Sequence, residues 1–348
     1  GKPGTYLLSG APGEVRVPAT LQATIAARID RLDPVAMQTL RAAAVIGSRF
    51  SADLLADLDT TPAFADLIAA ELIDQVRFTP YAEYAFHHPL IRTVAYESQL
   101  KSDRAALHRR LAGVIEGLDR AAADANAALI AEHLEAAGDL RGAYAWHMRA
   151  GAWSSNRNIA GAQVSWERAR QIADALPDDD PDRLAMRIAP RTLICGNGLR
   201  SRVTAVGARF DELRTLCSTT GDKASLAVGM TGLVGEHMFH GRVRAASQVA
   251  SEQMSLIESI GDSTLTVGLS FAPIVVKTET GELTDVLRWS QAVIDLAEGD
   301  PTKGNFNIGS PLALASAFRG VARWALGRAG WREDFRHAIA MARRSDPL

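Results

Sequence analysis

Apolar residues along this chain follow two rhythms. Up to about residue 120, short helical stripes give way to two extended runs. Beyond that, apolar positions recur at helical spacing in blocks of about 20 residues, punctuated by glycine and aspartate. Within these blocks, turn residues fall into two interleaved sets, each returning about every 40 residues. One set is Gly138-Asp139, Asp178-Asp179-Asp180, Gly221-Asp222, Gly261-Asp262 and Gly299-Asp300; the other is Asn156 to Asn158, Gly198, Gly241, Gly281 and Gly330. Each supplies residues that tolerate the left-handed backbone ending a helix, and roughly 20 residues accommodate a helix of four to five turns with its turn. The pattern predicts a mainly α chain in which residues 122–348 form tetratricopeptide-like stacked hairpins, about five of them, in an open right-handed superhelix. Such arrays generally bind rather than transform.

The first hundred residues have a different grammar. Tyr6 to Val17 reads as a short extended hairpin around Gly10 to Gly13, making residues 1–17 a linker. Pro18 then opens a helix whose stripe is Leu21, Ile25, Ile29 and Leu32, and a second helix covers Pro34 to Ile46 with Met37, Leu40, Ala44 and Val45 inward. Shorter helices are predicted at Ala52 to Leu58 and Pro62 to Ile73. Extended runs follow at Gln75 to Thr79 and Glu83 to His87, joined by Pro80-Tyr81-Ala82. Helices followed by strands predict a winged helix over residues 18–100, with a linking helix from Lys101 to about Asp119 within residues 101–121. The recognition helix of that winged helix would be Pro62 to Ile73, which carries Asp66 and Glu71, is followed by Asp74 and has no lysine or arginine. A duplex presents closely spaced phosphates that only cations neutralise, so direct DNA binding through this element is not expected.

Charge and cysteine usage narrow the picture. With 38 Lys and Arg against 40 Asp and Glu, the net charge of −2 gives no bias toward polyanions. The two cysteines, Cys195 and Cys217, fall on predicted helices and read as reduced thiols of a cytoplasmic protein. No apolar run approaches the roughly 18 residues of a membrane span, and no leader opens the chain. The sequence begins at Gly1 and stops at Leu348 inside the repeat pattern, as expected for a piece of a longer protein. A cut there would leave the last hairpin, around Ala338, Ile339 and Met341, exposed to self-association. The long connection Pro301 to Pro311 would tether it loosely.

Several segments carry a family likeness. Val17-Pro18-Ala19-Thr20-Leu21-Gln22-Ala23, Ala26-Ala27-Arg28-Ile29-Asp30-Arg31-Leu32 and Ala42-Ala43-Ala44-Val45-Ile46-Gly47 resemble the region after the ATPase core of signal-transducing STAND-type ATPases. The likeness is greatest to large LuxR-type transcriptional regulators and ATPase-linked class III adenylate cyclases of bacteria. Phe86-His87-His88-Pro89-Leu90-Ile91-Arg92, Val94-Ala95-Tyr96 and Arg104 to His108 are similar to the family's end of the winged helix and the helix after it. Glu132-His133 and Ala136-Ala137-Gly138-Asp139 resemble the start of its repeats. The resemblance covers residues 6 to about 177 and implies a sensor region that relays effector or partner binding to a preceding ATPase core. ATP or ADP and magnesium would be held by that core and no cofactor by this chain.

The family's catalytic motifs are missing from the sequence. A phosphate-binding loop ends in Gly-Lys-Ser or Gly-Lys-Thr because backbone amides cradle phosphate while the lysine and hydroxyl serve the terminal phosphate and the metal. Gly10-Ala11-Pro12-Gly13-Glu14 has glutamate in the lysine position, and neither cyclase nor helix-turn-helix motifs occur. No Gly-x-Ser-x-Gly or His-Glu-x-x-His string occurs either, so the chain is not expected to be an enzyme. The resemblance places on His88 the role of a nucleotide-phosphate sensor; the other reading of His88 is an N-cap of the helix starting near Pro89. Arg104 and His108 read as a packing residue set with a local ion pair. His237 and His240, beside Glu236, share a helix face but lack a third ligand, so no metal site is expected. All six tryptophans lie in the repeats. Trp146 and Trp166 sit between Ala143 and Ala150 and between Ala162 and Ala169, a core arrangement, although a concave ligand wall is the other use of such rings. Two functions remain: a sensor region coupled to an ATPase, and a protein-interaction scaffold without nucleotide coupling.

Overall fold

The computed structural model describes residues 19–58, 61–201, 206–306 and 309–345; the expected hairpin at Tyr6 to Val17 lies outside them. The chain is mainly helical with one small sheet, and it divides into two compact units, residues 1–142 and 143–348.

The first unit begins with α1 (Ala19–Ile29) and α2 (Pro34–Ile46), then β1 (Arg49–Ser51), α3 (Ala52–Asp57), α4 (Phe64–Ala69), β2 (Ile73–Arg77) and β3 (Glu83–Phe86). The three strands form an antiparallel sheet in the order β1-β3-β2, the topology of a winged helix. Asp33 starts α2 by accepting from the Val35 and Ala36 amides, with Pro34 supplying a preset φ just after it. Ile25 and Ile29 of the α1 stripe are buried, whereas Leu21 at its start is 44% exposed. Leu40, Leu55, Leu67, Ile73 and Phe86 meet in one core, and the Phe64 ring stacks on Tyr84 with centroids 4.0 Å apart. β1 has no counterpart in the sequence reading; three residues are too few to show alternation. The recognition helix is also shorter than Pro62 to Ile73. Glu71 turns left-handed at φ 52, and Ile73 already pairs with Phe86 in the sheet.

After the sheet come α5 (Pro89–Glu97), α6 (Lys101–Glu116), α7 (Arg120–Ala125) and α8 (Ala127–Ala136). α6 packs on α2 and α8, so the helices after the winged helix belong to the first compact unit.

The boundary falls in the first turn of α9 (Leu140–Ser154), and the second unit goes on with α10 (Ile159–Asp174), α11 (Arg183–Gly196), α12 (Gly198–Ser201), α13 (Val206–Thr220), α14 (Lys223–Phe239) and α15 (Val243–Ile260). It continues with α16 (Ser263–Leu269), α17 (Phe271–Glu279), α18 (Leu283–Ala297), α19 (Pro311–Ala325) and α20 (Trp331–Ser345). Successive helices pack in a chain: α10 on α11, α11 on α14, α14 on α15, α15 on α17, α17 on α18, α18 on α19 and α19 on α20. This is the tetratricopeptide-like superhelical array.

The Gly-Asp pairs are explained by what two adjacent residues do. At Gly241 (φ 68) the amide bonds Met238 O and the Arg242 amide bonds His237 O, and Gly281 (φ 75) repeats this with Thr278 and Lys277. That pair of hydrogen bonds closes a helix, and only a residue without Cβ enters it freely. Where aspartate follows glycine, its carboxylate opens the next helix: Asp222 accepts from Ser225 N, and Asp262 from Thr264 N and Leu265 N. Three expected stops behave differently. Asn158 is the N-cap of α10, accepting from Gly161 N; Gly198 begins the short helix α12; and Gly330 precedes α20, α19 being closed instead by Gly327 (φ 66). The segment 263–279 is split at Ser270 because Pro273, in the first turn of α17, has no N–H to continue α16.

Ala143, Trp146, Ala150, Ala162, Trp166 and Ala169 are all buried, as are Trp289 of α18 and the two free cysteines. Burial pushes the Cys195 thiol up to about 12 and the Cys217 thiol up to about 11. No helix among the described residues is long and apolar enough to cross a membrane.

Candidate effector site

The second unit contains a cavity of about 430 Å³ built by several helices and one connection. Its size falls within the range of small-molecule pockets, about 300–1,000 Å³. α10 contributes Trp166, 1% exposed, whose indole Nε1 lies over Gly151; a Cβ on that glycine would sit 2.1 Å from the nitrogen. Leu193 of α11, Leu265 and Leu269 of α16, and Phe271 of α17 complete most of the apolar wall. Phe306 closes it from the connection between α18 and α19.

That connection is not the slack tether expected from its length. Gly304, at φ 67, approaches α16 so closely that a Cβ on it would fall 2.6 Å from Gly268 N. A Cβ on Gly268 would in turn fall 2.2 Å from the Phe306 ring. Two facing glycines thus let the backbone dock and carry the ring into the cavity. Lys303 pins the same segment by donating to Leu296 O at 2.7 Å.

Polar atoms are few and mostly spent. Ser155 donates to Ala152 O and Thr192 to Ile188 O, and the Asn197 side-chain amide donates to Leu193 O. Thr231 of α14 accepts from the buried Gln253 amide at 2.9 Å, which leaves its own hydroxyl proton free to point elsewhere. Among the described residues Arg200 of α12 is the one charged side chain on the wall, and it faces only Asn197 Oδ1, at 3.5 Å. A larger hollow of about 520 Å³ lies in the first unit beside α2 and α6, but Arg41, Asp103 and Arg110 break up its walls.

His88, the candidate site residue of the sequence, lies in the first unit. It is exposed and caps α5, its Nδ1 accepting from the Leu90 amide at 3.2 Å. In a neutral imidazole whose Nδ1 accepts, the proton sits on Nε2, so the outward nitrogen is fixed as a donor. The cap and a phosphate-sensing role are thus chemically compatible. The neighbouring His87 turns instead to the Asp74 carboxylate, 2.9 Å from its Nδ1.

Arg104 and His108 also sit in this unit. Arg104 forms no ion pair among the described residues, against the expectation; its guanidinium lies 4.6 Å from the Tyr96 ring centroid and donates to Tyr96 O. His108 joins a buried relay, with Tyr96 Oη 2.9 Å from its Nε2 and His133 Nδ1 2.9 Å from its Nδ1. With both rings neutral the protons run in one direction along the relay, either from Tyr96 through His108 to His133 or the reverse. Burial, reinforced by His133, Arg104 and Arg92, lowers His108 to about 4, and burial lowers His133 too. The unfolded chain therefore takes up protons first as pH falls from about 6.5. The relay's contribution is complete above that pH and is lost on the way to about 4, amounting to about 3 kcal/mol for His108 alone. Urea titrations at pH 7.5 and 4.5 should show this loss. His108→Gln, which bonds but does not titrate, should remove most of it; an unchanged slope would assign the acid sensitivity to carboxylates.

In the array, His240 ends α14, its Nδ1 bonding Glu236 O at 2.8 Å, and His237 Nδ1 accepts from Arg242. No group of three His, Cys, Asp or Glu side chains able to hold a metal occurs among the described residues.

No family model matches the sequence. Over 189 residues, 51% of this chain, it is 29% identical to an uncharacterized protein of Rhizobium meliloti (strain 1021), and the match takes in 18% of that protein. Among solved structures it is similar to a signal transduction ATPase with numerous domains (STAND) protein with a tetratricopeptide repeat sensor from Pyrococcus horikoshii. The TM-score is 0.41 at 11% identity, over 91% of this chain and 52% of that one. The chain spans less than a fifth of the curated relative and about half of the solved one.

Proposed function

We propose that this chain is the sensor region of an ATP-dependent bacterial signalling or transcriptional regulator of the STAND type. The repeats bind an effector or partner, and the winged helix relays that state to an ATPase core. The observation that carries the reading is the cavity in the array: a ligand touching α10, α11, α14 and α16 at once would favour one mutual arrangement of neighbouring hairpins over another. The nucleotide side of the reading rests on the segments resembling such regulators and on the donor geometry of His88. α4, with Asp66 and no lysine or arginine, supports a winged helix that faces protein rather than DNA. Arg28, the basic side chain beside it, is engaged with Ala70 O and Glu71.

The expected result in the longer protein is that His88→Ala lowers the ratio of ADP to ATP affinity and costs about 1 kcal/mol through the lost cap. His88→Asn, which can cap but lacks the imidazole, should restore the stability and not the discrimination. Restoration of both, or nucleotide affinities unchanged in both variants, would reduce His88 to its cap. Alone, the chain is expected neither to hydrolyse ATP nor to make cyclic AMP. Steady turnover abolished by a point change within it would overturn that. The scaffold alternative without nucleotide coupling draws support from the exposed aromatics Phe78 and Tyr81 at the wing, a face suited to protein contact.

A further inference from the structure

We propose that the cavity takes a small, mostly apolar monocarboxylate, its carboxylate held by Arg200 and the Thr231 hydroxyl and its hydrocarbon body by Trp166, Leu193, Phe271 and Phe306. This rests on the reading of the array as an effector sensor and specifies the effector. The walls have little polar capacity left to offer a ligand. Ser155 and Thr192 spend their protons on backbone carbonyls, and the Asn197 amide does the same. Three donors remain: the Arg200 guanidinium, the Thr231 hydroxyl and the Trp166 indole N–H, which is buried and has no protein partner. A set of donors, one of them charged and with no free acceptor to match, suits an acceptor-only anion.

The charge count sets the valence. Among the described residues Arg200 is the single cation of the wall, and no carboxylate shares the wall with it. A nucleotide or sugar phosphate would bring more negative charge than one guanidinium neutralises. A free sugar would bury hydroxyls against leucine and phenylalanine with few partners, at a cost for each unpaired group. A hydrocarbon or aromatic body, in contrast, gains from every apolar contact the walls provide. Placement agrees: α12 lies against α14, and a Cβ on Gly198 would sit 3.6 Å from Gly232 Cα, so the short helix bearing Arg200 is seated beside the turn bearing Thr231. Phe306 rides on the docked connection and would lie along the body of the bound acid.

Calorimetric titration of the purified chain with hexanoate, octanoate, decanoate and naphthalene-2-carboxylate, each beside its primary amide, tests the assignment. At least one acid should bind about tenfold or more tightly than its amide, the range expected of one charge-assisted contact. Arg200→Gln should bring that acid down to its amide. Phe306→Ala should weaken acid and amide alike. Arg200 is exposed, so its variant should keep the melting temperature of the unliganded chain. Amides that bind as well as acids, or a preference that survives Arg200→Gln, would overturn the carboxylate assignment. Absence of binding by every member of the panel would overturn the site. Binding that leaves ATPase turnover of the longer protein unchanged would keep the site and remove the sensor reading. A turnover response to a protein partner, with no acid bound, would do the reverse.

Discussion

Gly232→Ala is expected to destabilise the array by about 3 kcal/mol, the upper end of the range for overpacking a close contact. Gly232 sits mid-way along α14 against the end of α11, and an added Cβ would fall 1.9 Å from the carbonyl oxygen of Cys195. That oxygen is backbone, so relief requires moving one helix off the other. Gly229, one turn earlier, is the informative contrast: its Cβ would meet the tip of Leu213 at 2.4 Å, a side chain that can rotate away. Chemical denaturation of both variants should show a large loss for Gly232→Ala and a smaller one for Gly229→Ala. Equal losses would mean that α11 and α14 are not in such close contact.

Asp334→Ala should release the last helix. The Asp334 carboxylate, 3% exposed, accepts from Arg319 at 2.6 Å and from Arg323 at 2.9 Å, joining α20 to α19. Arg319 reaches further, to Gln291 of α18 at 2.7 Å. Truncating one partner of a buried pair leaves the others uncompensated, at a cost of about 3 kcal/mol or more. Amide exchange should localise the effect, with α20 losing protection and α14 keeping it. Unchanged exchange in α20 would mean that its apolar face, Trp331, Phe335, Ala338 and Met341, holds it unaided.

These two contacts mark where sequence reading stops. The helices and most of their ends are legible because each end is a local event: a left-handed glycine closes one helix, and an aspartate one residue later opens the next. The same rule misassigns Gly198, because a glycine at a close helix approach looks the same in sequence as one at a turn. A Cβ there would lie 2.9 Å from Val206 Cγ2. Charge is visible in sequence and suggests an ion pair for Arg104, whereas an aromatic face one helix away is not visible. His108 and His133 lie 25 residues apart, and nothing local announces that their rings meet.

The cavity shows the limit most clearly. Its walls come from residues 152 to 306, and no window of sequence contains two sides of it. One trace is visible, the irregular spacing from Pro301 to Pro311. Excess length by itself suggests looseness. In the fold, the glycines at 268 and 304 turn that length into a docked strap. Length gives no sign of this, since docking depends on a second glycine 36 positions away. His88 is legible as a residue with two readings, and the structure shows the cap.

The two thiols give the middle of the array a built-in clock. Cys195 and Cys217 lie on different helices and are buried, and with ionisation pushed up to about 12 and about 11 they present almost no thiolate at neutral pH. An alkylating reagent can reach them only in molecules whose α11 and α13 have come apart. The speed of their modification therefore counts openings of the central hairpins directly, in the unaltered chain, and any occupant that holds those hairpins together will slow it.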